Sequence, residues 1–183
     1  MNTTAHTRHR LRLLTLTTAL LLGTASASAD GFARFEGVDG EATERNHAKW
    51  IQIQAFSKAA HLPAPAGGAS RRRGSASFEP IRISKRLDSS SPQLEKALAT
   101  GRVFPRVILE LTSPGRGAGA VYYRVELRNV LVTSYQLHAT GDAVPTEELT
   151  ISYEEIKVSY MPTDAKGRKK GSVEFQFKTG ERR

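Results

Sequence analysis

Two stretches of alternating apolar and polar residues, 120–139 and 149–161, dominate the hydrophobic pattern of this chain. In the first, Val121, Tyr123, Val125 and Leu127 share one parity, and Tyr122, Arg124, Glu126 and Arg128 the other. That period of two belongs to a strand with one buried face. The parity slips at Arg128-Asn129, because the next inward residues are Val130 and Val132. The second stretch does the same: Leu149, Ile151 and Tyr153, then Glu154-Glu155, then Ile156, Val158 and Tyr160. A one-residue shift turns every later side chain to the opposite face, so each slip predicts an inserted residue, a β-bulge or a true switch of face. A polar turn with Gly141, Asp142 and Pro145 joins the two stretches into a long, bent hairpin, which suits a curved sheet or barrel.

The rest of the chain supplies shorter elements. Residues 32–35 read as a strand ending in a Gly/Asp-rich turn. Residues 49–57 follow, with Trp50, Gln52 and Gln54 opposing Ile51, Ile53 and Ala55; Trp50 is expected in the core, since aromatics bury the most area. Residues 78–87 form a third strand. A serine run and Pro92 mark a helix start; Leu94, Ala97 and Leu98 share one helix face, and Gly101 is the stop. Residues 103–111 return as strand with Val107, Leu109 and Leu111 inward, and residues 172–178 close the chain with Val173, Phe175 and Phe177 alternating. The prediction is a mainly-β domain, an antiparallel β-barrel of about eight strands with one short α-helix.

The first 29 residues stand apart. Arg8, Arg10 and Arg12 precede an apolar run over 11–22, and Ala25-Ser26-Ala27 and Ala27-Ser28-Ala29 each fit a signal-peptidase site. The run is shorter than the ~20 apolar residues that span a bilayer. The expectation is a cleaved secretory signal (1–29), one exported domain (30–183) in the periplasm or outside the cell, and no stable membrane insertion. The leader holds three of 27 Lys+Arg and none of 18 Asp+Glu, leaving a net charge of +6 on residues 30–183. That is less than the footprint of a dedicated nucleic-acid binder. The absence of cysteine excludes disulfides and thiol chemistry.

Candidate chemistry is sparse. No nucleophile elbow, phosphate loop or zinc-protease motif occurs, so no enzyme activity, cofactor or metal is expected. Asp39, Glu41, Glu44 and His47 are oxygen-rich but lack calcium-loop spacing, and read as a solvated turn. Residues 58–77 form an aperiodic Ala/Gly/Pro/Ser loop carrying Arg71, Arg72 and Arg73. Bases also gather at Arg82–Arg86 and around Lys169 and Lys170, and acids at Glu147, Glu148, Glu154 and Glu155. If these groups lie on different faces, head-to-tail contacts between copies are electrostatically complementary.

Several stretches together resemble the Hcp family, the tube proteins of bacterial type VI secretion. They are Val38-Asp39-Gly40-Glu41 with His47 and Trp50-Ile51; Ser84-Lys85-Arg86-Leu87-Asp88 through Ser91-Pro92-Gln93-Leu94; Gly101-Arg102-Val103-Phe104-Pro105; Asn129-Val130-Leu131-Val132-Thr133-Ser134; and Pro145-Thr146-Glu147-Glu148-Leu149 through Tyr153-Glu154-Glu155-Ile156 and Tyr160-Met161-Pro162. The resemblance implies a barrel assembled as a hexameric ring, rings stacked into a tube, and effector proteins carried in the lumen. It places Ser57 as a lumen contact, with Lys58 beside it where the family pattern continues with an aromatic. It gives the 58–77 loop as a contact to neighbouring subunits or rings, while charge alone makes Arg71, Arg72, Arg73, Glu147, Glu148, Lys169 and Lys170 candidate subunit or polyanion contacts. Family tube proteins carry no cleavable signal, so this chain reads as a separately exported version. Two readings stay open at this point: a non-enzymatic, ring-forming carrier, and a monomeric secreted module binding polyanions through its basic loops.

Overall fold

The computed structural model describes residues 30–62, 76–113, 119–162, 164 and 170–179. The strands are β1 (Gly31–Phe35), β2 (Ile51–Ser57), β3 (Ala60–His61), β4 (Ser77–Phe78), β5 (Ile81–Arg86), β6 (Val103–Thr112), β7 (Val121–His138), β8 (Thr146–Ser152), β9 (Glu155–Tyr160) and β10 (Val173–Lys178). One helix, α1 (Ser91–Thr100), separates β5 from β6. The main sheet runs β10-β9-β7-β6-β1-β2-β5-β8, and an additional β7–β8 pairing closes its last six strands into an antiparallel barrel. The strands β9 and β10 extend outside that circuit from the first half of β7.

The bent hairpin is the element that makes closure work. Arg128 faces Glu155 before the slip and Leu131 faces Ser152 after it, so two residues intervene on each strand and no extra residue is inserted. Both strands change face in step, which is the last of the three alternatives the pattern allows. Asn129 takes a left-handed conformation (φ 51), tolerated because its short polar side chain bonds locally. Its Nδ2 donates to Glu154 Oε2 at 2.7 Å, and Glu154 N donates to Arg128 O at 3.1 Å. Leu127 and Val130 on one strand, and Tyr153 and Ile156 on the other, thereby all stay buried. Thr179 accepts the remaining turn: its Oγ1 donates to the carbonyls of Tyr153 and Glu154.

The strand interiors agree with the sequence periodicity. Ile81, Ile83, Val107, Leu109, Val125, Leu149 and Ile151 form one core cluster with Leu94 and Ala97 of α1. Two details differ. Ser90 at the helix start makes no side-chain cap; its hydroxyl instead bonds Asp88, while Ser91 Oγ accepts from Asp88 N at 3.0 Å. Trp50 precedes β2, half-buried, edge-on to His47 with the Arg34 guanidinium 5.8 Å above its ring. The helix ends as expected, with Gly101 at φ 62.

Candidate functional site

The barrel wall presents two outward faces of different chemistry. On β1, β6, β7, β9 and β10 the outward rows carry mostly paired charges, with Phe32 and Ile108 buried among them and Arg34 set against the Trp50 ring. Arg124 lies 3.2 Å from Glu110 and 3.5 Å from Glu126, Lys157 2.8 Å from Glu174, and Lys178 3.8 Å from Glu155. The Lys157 ammonium, with a Ser159 hydrogen bond, holds the Glu174 carboxyl below the usual range. Opposite-charge neighbours across strands are the ordinary way a solvated sheet face is stabilised.

The face made by β2, β5, β8 and the second half of β7 is different. Its cross-strand rows are Ser57–Arg82–Thr150–Ser134, Ala55–Ser84–Glu148–Gln136, and Arg86–Thr146–His138. A bulge between Ile53 and Ala55 puts both Gln54 and Ala55 outside before Phe56 turns in. The result is a carpet of hydroxyl and amide groups. Ser57, Arg82, Ser84 and Glu148 meet around a shallow depression of about 210 Å³. Among the described residues, Arg82, Arg86 and Glu148 on this face have no ion-pair or hydrogen-bond partner through their side chains.

Beneath it lies a buried polar cluster. Lys85 and Glu147 are fully buried, with Lys85 Nζ 2.6 Å from Glu147 Oε2, 2.9 Å from Asp88 Oδ1 and 2.9 Å from Ser91 Oγ. Tyr135 donates its hydroxyl to Glu147 Oε1 at 2.7 Å. Burial first, and the Glu147 carboxylate second, push that phenol well above its usual range. A second cluster surrounds His47, which is buried, stacked on Phe32 at 4.1 Å, and bracketed by Glu44 at Nδ1 and Glu110 at Nε2. The hydrogen bond from His47 holds the Glu44 carboxyl below its usual range.

These positions correct three readings of the sequence. Glu147 is not a surface contact, because it is the buried partner of Lys85. The bases of β5 and acids of β8 do not occupy different faces, because the two strands are hydrogen-bonded neighbours, with Lys85 opposite Glu147 and Ser84 opposite Glu148. The turn holding His47 is not a simple solvated one either; the signal missed was Glu110, 63 residues away, whose outward parity on β6 hid its partner. Among the described residues no group of three or more His, Cys, Asp or Glu side chains is placed to hold a metal. Ser57 and Lys58 are exposed at the end of β2, and Lys170 is exposed before β10. Residues 1–29, Arg71, Arg72, Arg73 and Lys169, and most of the 58–77 loop, lie outside the described residues. No described helix is long and apolar enough to cross a membrane.

Comparison with known proteins agrees with this architecture. The family model described as "Type VI secretion system effector, Hcp" matches residues 32–160. The chain is 27% identical over 146 residues to "Protein hcp1" of Pseudomonas aeruginosa, covering 79% of this chain and 90% of that one. A solved structure titled as a type six secretion system protein superposes with a TM-score of 0.77 at 28% identity, covering 83% of this chain and 96% of that one. Hcp1 from Salmonella typhimurium shares the fold, with a TM-score of 0.67 at 20% identity over 82% of this chain and 94% of that one. The barrel with its two unequal faces therefore belongs to the Hcp family of type VI secretion proteins.

Proposed function

We propose that this chain is a non-enzymatic Hcp protein that is exported by its own leader, assembles into a six-membered ring, and holds protein cargo against the polar β2–β5–β8–β7 face. The observation that carries the reading is the flap of β9 and β10, open at its β10 edge among the described residues, on an otherwise closed barrel. Its inward-parity row continues the core, yet Tyr160 is 49% exposed, Phe175 47% and Val173 70%. Phe78 covers part of it, stacking on Phe177 with ring centroids 4.5 Å apart. An apolar row on an unpaired sheet edge is a surface that a neighbouring copy covers. Burying it in a ring leaves the hydroxyl-rich face available to line a lumen, where groups that bond weakly and adaptably suit a carrier.

Light scattering of residues 30–183 at low and high salt tests this. The expected result is six times the monomer mass at both salts, with Phe175→Glu monomeric. A wild-type monomer at tens of micromolar overturns the ring.

A further inference from the structure

Resting on that reading, we infer that the β2–β5–β8–β7 face selects partners with an acidic protein surface, through Arg82 and Arg86. The two guanidinium groups project from the same outward side of β5, about 13 Å apart along the strand. Both are exposed and neither is paired among the described residues, whereas Arg106, Arg124, Arg128, Lys157 and Lys178 on the other face each have a carboxylate partner. On the first face the cations are paired with carboxylates, Arg34 excepted, which lies over the Trp50 ring, whereas Arg82 and Arg86 are left open. A free guanidinium offers a planar fork that matches a carboxylate with two parallel hydrogen bonds.

The surroundings separate protein carboxylates from nucleic acid. None of the outward residues in the three rows is Phe, Tyr or Trp, and Phe56 at the edge of the depression turns in against Tyr123, so the rows offer no stacking platform of the kind that single strands use. Glu148 stands beside Arg82 at the same depression, which repels a continuous phosphate chain but accepts a base on a mixed protein surface. Ser57, Ser84, Thr150 and Gln136 supply donors and acceptors around the two arginines. In a ring the pair recurs on every subunit, so weak single contacts add along one partner.

The test is fluorescence anisotropy with a labelled decamer of glutamate, a decamer of lysine and a decamer of thymidylate, using processed protein (residues 30–183) whose mass is read in the same sample. Expected are binding of the glutamate peptide, at least tenfold weakening between 50 and 300 mM salt, and at least tenfold loss in R82S/R86S against less than twofold in R128S/K157S. Equal losses in the two variants, tighter binding of thymidylate than of glutamate, or no glutamate binding by an intact ring each overturn the assignment. Binding lost in R82S/R86S but measured on a monomer supports the assignment and removes the ring instead.

Discussion

Lys85 Nζ sits 2.6 Å from Glu147 Oε2 with both side chains fully buried, an ion pair that ties β5 to β8 from inside the barrel. Removing one charge strands the other in the core, which costs about 3–5 kcal/mol, whereas replacing both by apolar residues of similar volume is close to neutral. Urea denaturation is expected to show Lys85→Met and Glu147→Leu each strongly destabilised, with the double variant recovering most of the loss. Tyr135→Phe, which removes one donor to the same carboxylate, is expected to cost about 1.5–3 kcal/mol.

The face switch depends on Asn129 at φ 51 and its bond to Glu154. Asn129→Gly keeps the backbone conformation and is expected to be the milder change. Asn129→Val forces a β-branched residue into the left-handed region, at about 1–2 kcal/mol for the backbone alone. Thermal midpoints of the two variants rank them.

Gly40 marks a close approach of backbones. A Cβ there meets Trp50 O at 2.5 Å and Ile51 Cα at 2.7 Å, and Gly40 N donates to Lys49 O at 2.8 Å. These neighbours are main chain and cannot swing away. Gly40→Ala is therefore expected to lower the thermal midpoint by several degrees, while Gly141→Ala, with nothing within 4 Å, leaves it unchanged.

Acid sensitivity follows from Glu44 and Glu174. Both carboxyls lie below their ordinary value of 4.5 in the folded protein, Glu44 through His47 and Glu174 through Lys157. A depressed folded pKa gives stability that is present above 4.5 and is lost as pH falls through the folded value. The midpoint is expected to be flat in this respect above pH 5 and to fall below 4.5. Glu44→Gln is expected to be less stable than wild type at pH 7, with the gap narrowing towards pH 3.

The sequence made the wall of this fold readable because alternation is local. Val121 to Leu127 and Leu149 to Ile151 declare their inward faces without reference to anything else. It also located the face switch at Arg128-Asn129 and Glu154-Glu155, since parity breaks are visible in one strand at a time. Which kind of break it was depended on the partner strand: only the pairing of Arg128 with Glu155 and of Leu131 with Ser152 shows that neither strand carries an extra residue at the slip, the one extra residue of β7 against β8 coming later, between Val132 and Ser134. The same limit hid both buried clusters. Lys85 and Glu147 are separated by 62 positions and His47 and Glu110 by 63, and a charged residue, whether at inward parity like Lys85 or at outward parity like Glu110, reads as a surface group until its partner is known. The polar face is a third case. Ser57, Arg82 and Glu148 are unremarkable singly and become a site only when β2, β5 and β8 lie side by side.

The account turns on that face pointing into a ring. The chain has no cysteine, so Ser57→Cys and Lys157→Cys each introduce one spin label per subunit, on opposite faces of the barrel. Pulsed dipolar spectroscopy of the two labelled assemblies then reads subunit-to-subunit distances directly. The expected result is a coupled assembly for both, with the nearest-neighbour distance shorter at position 57 than at position 157. No coupling at either position, or the reverse order of distances, contradicts it.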